Sequence, residues 1–128
     1  MADRTQLEML KREVNAWNVW RSAHESLSPN LAEANLLGLD LIGANLAGAD
    51  LRKADLRGAN LTDASLVGAH LEGATFFRAV LDRADLASAH LEGARFLTSD
   101  QLLAARNWQA AYRDTTLGCG APIPRERA

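Results

Sequence analysis

His70, Glu72, His90 and Glu92 are the residues whose types and spacing come nearest to chemistry. Each His stands two positions before a Glu, and the pair at 70 and 72 recurs at 90 and 92. In extended backbone, residues two apart share a face. Each His–Glu pair therefore projects to one side and flanks Leu71 or Leu91, which projects to the other. A chain that returned on itself at the interval between the pairs would stack them about 4.8 Å apart. Two imidazoles and two carboxylates at that range suit Zn²⁺ or a similar ion, so these four are candidate metal ligands. The plainer reading is a solvated ladder on an outer wall, where a His or Arg52 offsets the charge of stacked carboxylates. Such a wall lacks the supporting groups that hold ligands in place.

Nothing else approaches a reactive arrangement. Ser65, Ser88 and Ser99 show no evident Ser/His/Asp arrangement in the sequence, and Cys119 has no adjacent His or Lys to activate it. No catalytic residue and no cofactor are expected, and the chain reads as a non-enzyme. Its single cysteine allows no internal disulfide and fits a reducing compartment, with the cytoplasm as the expectation. The first residues carry no signal-peptide pattern, and no apolar run is long enough to span a membrane. A net charge of −2 gives no basic footprint for direct nucleic-acid binding.

The elements that must position these residues follow from an internal period. Leu or Phe recurs at every fifth position from Leu31 to Phe96, fourteen times without a break. Two positions before this central one stands Ala in twelve units, the exceptions being Pro29 and Leu39. One position before it stands Asn or Asp in eight, and two after it stands Gly in seven. The Ala and the central Leu share the inward face, the Ala kept small by a narrow interior. Gly confined to one position predicts a turn that disfavours a Cβ, as in type II. The segment Gly68-Ala69-His70-Leu71-Glu72-Gly73-Ala74 returns four units later as Ser88-Ala89-His90-Leu91-Glu92-Gly93-Ala94. That echo fits either a coil of four units or a duplication of the same length.

Ala49-Asp50-Leu51-Arg52-Lys53 and Ala59-Asn60-Leu61-Thr62-Asp63 resemble the motif A(D/N)LXX of the pentapeptide repeat family. The resemblance implies an all-β solenoid, a right-handed quadrilateral β-helix of about 3.5 coils over 29–98. Its core ladder would hold Leu31, Leu51, Leu71 and Leu91 on one side and Leu36, Leu56, Phe76 and Phe96 on the next. On that four-sided reading Leu37, Phe77 and Leu97 share an outer column with Arg57, and Ile42 and Val80 lie on the adjacent face. These five apolar residues are the candidate partner surface.

A solenoid leaves unpaired edges that need covering. Thr5 and Glu8 fit a capping box, and Leu7, Leu10, Val14 and Trp17 follow on one helical stripe with Trp20 at its margin. These predict an N-terminal capping helix over 5–26. Thr98 and Gln101 repeat the signature and predict a C-terminal capping helix over 99–113, with Tyr112 on its stripe and Trp108 beside it, sealing the last coil under Phe96. The remaining 114–128 reads as a loose tail. The expected function is a structural or interaction module binding an unidentified protein partner, or itself as a homodimer through the C-terminal helix. The family offers an alternative, a bacterial DNA mimic acting on a type II topoisomerase such as gyrase. Metal binding at the His/Glu ladder is the lesser one.

Overall fold

The computed structural model describes residues 1–114. Cys119 and all but the first residue of the expected tail lie outside them. Among the described residues three α-helices form: α1 (Arg4–Arg12), α2 (Val14–Ala23) and α3 (Ser99–Ala104). Between α2 and α3 the chain winds as a β-helix. Its parallel bridges run from Asn30↔Asp50 through His70↔His90 to Thr75↔Arg95, always at the same interval. One coil is therefore four pentapeptide units. The central carbonyl of each unit from Leu31 to Leu91 accepts from the N–H three positions on, as Leu66 does from Ala69 at 3.0 Å. These turns keep each side too short for an extended strand.

Every unit from Leu31 to Leu91 places a positive φ two positions after its central Leu or Phe. Seven of these positions are Gly, with φ of 66–71°, and the other six, such as Lys53 and Arg83, hold the same conformation at 56–61°. A side chain in this left-handed region costs about 1–2 kcal/mol. At Gly73 there is a second cost, because an added Cβ would lie 3.2 Å from Lys53 Cγ. Gly73→Ala should destabilise by about 1–2 kcal/mol or slightly more. Gly43→Ala, which meets nothing within 4 Å, should cost only the backbone part. Urea unfolding of both checks this, and equal losses would mean that the Lys53 contact carries no weight.

The recurrent Asn or Asp has a structural task that the spacing alone does not disclose. In all eight units that carry one, its Oδ1 accepts from the N–H two positions on, at 3.1–3.3 Å. Each is an Asx turn that pre-forms the corner. Inside, Ala44, Ala49, Ala54 and Ala59 are fully buried beside Leu41, Leu46, Leu51 and Leu56, and Phe76 is fully buried with them.

The N-terminal segment is two helices rather than one over 5–26. Glu13, at φ −164° and ψ 128°, separates α1 from α2. The cause is the shape of the coil edge they meet. α1 serves one side, where Asp3 N donates to Asn30 O at 2.8 Å and Gln6 Oε1 accepts from Asn30 N at 2.8 Å. α2 serves the adjoining side. There Trp17 Nε1 donates to Asn45 O at 2.8 Å, and Asn18 donates to Gly43 O and accepts from Asn45 N. Arg21 donates to Leu27 O and Ala47 O. A straight helix over 5–26 would be about 33 Å long and could not follow that corner. Asp3, not Thr5, is the N-cap of α1 and accepts from Gln6 N at 3.1 Å.

The expected 99–113 helix is also corrected. The Thr98–Gln101 capping box is present, but α3 ends at Ala104. The chain then lies along the last coil, with bridges Asp85↔Arg106 and His90↔Tyr112. Tyr112 N donates to Ala89 O and Tyr112 O accepts from Leu91 N, both at 2.8 Å. Continuing the helix would have left those edge groups without protein partners. The short α3 leaves little helical surface for the homodimer contact expected of it.

Phe96 and Leu97 exchange their expected places. Phe96 is 45 % exposed and Leu97 is 2 % exposed. Phe96 takes φ 56°, which turns its ring outward, and Leu97 fills the interior in its stead. Phe96 therefore does not stack beneath Phe76, and Leu97 is not part of the outer surface.

Candidate functional site: a histidine ladder and an aromatic wall

The four-unit coil brings the four candidate ligands to one column. The rings of His70 and His90 are parallel within 6°, with centroids 4.6 Å apart. Tyr112 extends the stack, its ring 4.5 Å from that of His90. Sequence reasoning missed Tyr112 as a ladder member because its interval from His90 is not a multiple of the repeat. Each Glu reaches back to its His: Nδ1–Oε1 is 3.4 Å for His70–Glu72 and 3.6 Å for His90–Glu92. One donor atom each from His70, Glu72 and His90 lie within 4.8 Å of one another.

The apolar candidates divide by exposure. Leu37, Ile42, Phe77 and Val80 stand on the outer walls, between about a third and a half exposed. Ile42 borders a cavity with Leu10, Val14 and Leu39. Phe77 meets the displaced Phe96 edge-on, at 6.0 Å and 74°. Arg78 lies 5.4 Å from the Phe77 centroid and Arg95 lies 5.6 Å from that of Phe96. Lys53, Arg57 and Arg95 line a shallow depression beside Phe96, with Asp55 the one acid among its lining residues. The wall thus joins two exposed rings to a cluster of cations. The tryptophans take no part in it: Trp17 and Trp108 are buried, and Trp20 packs against Trp17.

Arg57 of that depression, and other arginines of the walls, are paired with acids. Arg52 grips Asp50, and Arg57 grips Asp55, each through Nε and Nη2 at 2.7–2.9 Å. Arg83 pairs with Asp63 one coil below at 2.9 Å. These hydrogen bonds hold the carboxyls of Asp50, Asp55 and Asp63 below the usual range, and the bond from Asn107 does the same for Asp85. A carboxyl with a depressed folded value stabilises the fold above its unfolded pKa of about 3.9, and that stability goes as pH falls through the folded value. Stability should thus decline below about pH 5 and continue to fall below about 3.9. Urea midpoints measured from acid to neutral pH would show it, and a flat profile would mean that the pairs contribute nothing.

The family model for pentapeptide repeats matches the chain in eight copies, over residues 30–63 and 54–93. The chain belongs to the pentapeptide repeat family, whose fold is a right-handed quadrilateral β-helix. Family members are in general non-enzymatic repeat modules. Among solved structures, a pentapeptide repeat protein of the Arabidopsis thaliana thylakoid lumen is 26 % identical, covering 76 % of this chain and 68 % of its own, with a TM-score of 0.46. A pentapeptide repeat protein of the cyanobacterium Cyanothece 51142 is 31 % identical, with coverages of 66 % and 56 % and a TM-score of 0.43. One from Nostoc Pcc 7120 is 27 % identical, with coverages of 84 % and 94 % and a TM-score of 0.42. No curated protein sequence matches the chain. Among the described residues no helix is long and apolar enough to cross a membrane.

Proposed function

We propose that the chain is a non-enzymatic interaction module. In this reading the β-helix of about 3.5 coils is a rigid support, with α1–α2 and the 98–112 segment as its two caps. The partner is another protein, met through the wall of Phe77 and Phe96. The observation that carries this is the exposed aromatic pair with Arg78 and Arg95 over its rings. Soluble surfaces seldom leave two large rings together outside, and aromatic and Arg side chains dominate binding energy at interfaces. The surrounding cations favour an acidic partner surface. The single Cys119 fits a reducing compartment such as the cytoplasm.

A pull-down from the native cell with the wild-type chain and with Phe77→Ala/Phe96→Ala, paired with light scattering, tests this. A protein retained by the wild type and lost by the variant, with the free chain monomeric, supports it. Equal retention by both, or a stable homodimer that survives the substitutions, overturns it. The DNA-mimic reading needs a continuous acidic wall, and the Arg52, Arg57 and Arg83 pairs weigh against one. A supercoiling assay with a type II topoisomerase should then show neither inhibition nor protection.

A further inference from the structure

His70 and His90 occupy the position that eight other units give to Asn or Asp. At both places the unit forgoes the Asx hydrogen bond that pre-forms its turn. Six units depart in this way, and His70 and His90 are two of them that lie in one column, bridged to each other. The residue two further on is in each case Glu, so the column gains four donors where the fold requires none. Their oxygens are the second observation. Glu72 Oε1 and Glu92 Oε1 are both closed to solvent and lack a hydrogen-bond partner. Each sits 3.4–3.6 Å from its imidazole Nδ1, beyond good hydrogen-bond length. A carboxylate oxygen in that condition is costly unless a cation meets it.

We propose that the His70–Glu72–His90 face is a binding site for one divalent transition-metal ion of Zn²⁺ type. Imidazole and carboxylate are the donors such ions take, at about 2.0–2.2 Å. Two donors on one tetrahedral ion then stand about 3.4 Å apart. The donors of His70, Glu72 and His90 lie within 4.8 Å of one another, so gathering them on one ion takes a movement of about an ångström or more, made by side-chain rotation. The half-exposed side chains permit it, since only the backbone beneath them is locked. Parallel rings direct their like nitrogens the same way, so one ring must swing toward the other for both to bind. Tyr112 backs His90 and so leaves the swing to His70. Beyond His70, a cleft of about 380 Å³ is lined by Ser28, Gly48, Asp50, Arg52 and Glu72. Arg52 is the competing cation there: its hydrogen bonds go to Asp50, while its charge also acts on Glu72.

The repeat itself supplies the test. His70→Asn and His90→Asn restore the residue type that makes the Asx turn, so the double variant should fold at least as firmly as the wild type while losing both imidazoles. Calorimetric titration of the full chain with ZnCl₂ should give one ion per chain at micromolar affinity. The double variant and Glu72→Gln should each weaken it at least ten-fold, with melting temperatures no lower than that of the metal-free wild type. Cys119→Ser should bind as the wild type does. No heat at micromolar concentration overturns the site, and so does binding that survives the double variant or vanishes with Cys119→Ser.

Discussion

Trp17→Ala should destabilise the chain by about 3–5 kcal/mol, the usual range for removing a buried Trp. The side chain is fully buried in the cluster that contains Leu31 and Leu46, and its indole N–H holds Asn45 O at 2.8 Å. Two losses therefore combine, a cavity and an unmet carbonyl at the coil's edge. The melting temperature should fall by more than about 10 °C for a domain of this size. Trp17→Phe fills most of the volume and abandons only the hydrogen bond, so it should lose about 1–3 kcal/mol. A bared coil edge is a template for pairing with other chains. Light scattering on the alanine variant should accordingly show a growing mass. A melting temperature within a few degrees of the wild type would mean that α2 does not hold the first coil.

The second large effect separates two residues that the repeat makes equivalent. Phe76→Ala should cost about 3–5 kcal/mol, because its ring is fully buried in an interior otherwise filled by Leu and Ala. Phe96→Ala should cost less than about 1.5 kcal/mol, the worth of an aromatic pair beyond its burial. Its ring lies outside, against Phe77 and under Arg95. Denaturant unfolding of the two variants decides the matter. Similar losses would return Phe96 to the core and undo the aromatic wall on which the proposed partner surface rests.

This pair also marks how far the sequence can be read. Up to Leu91 each unit lies against another coil, and the agreement of Ala, Leu and Gly positions leaves one register. Ala94-Arg95-Phe96-Leu97-Thr98 satisfies the same pattern, yet nothing in it chooses between two adjacent large apolar residues. The choice comes from outside the repeat: Thr98 must start α3, and Gln101 must reach Phe76 O and Ala79 O at 2.8 and 2.9 Å. Arg106 and Tyr112 were hidden for a related reason. They continue the walls opposite Asp85 and His90, off the five-fold register, and a period search sees only regular offsets. The break at Glu13 has no Gly or Pro to announce it. It follows from the shape of a coil edge that the chain builds only later, from Asn30 to Ala47. The His ladder, by contrast, was legible, because its members are spaced by the coil itself.

The uniform interval of the bridges also bears on how such a chain finds its fold. From Asn30↔Asp50 to Thr75↔Arg95, each bridge encloses the same span. The entropy of closing a loop depends on its span, so each added coil faces the same modest penalty however many already exist. The first coil has no template; every later one meets a finished edge of N–H and C=O groups. Folding can therefore start at any coil and spread toward both termini. Lengthening the rod by whole coils would leave the range of its contacts, and with it the speed of each zippering step, unchanged.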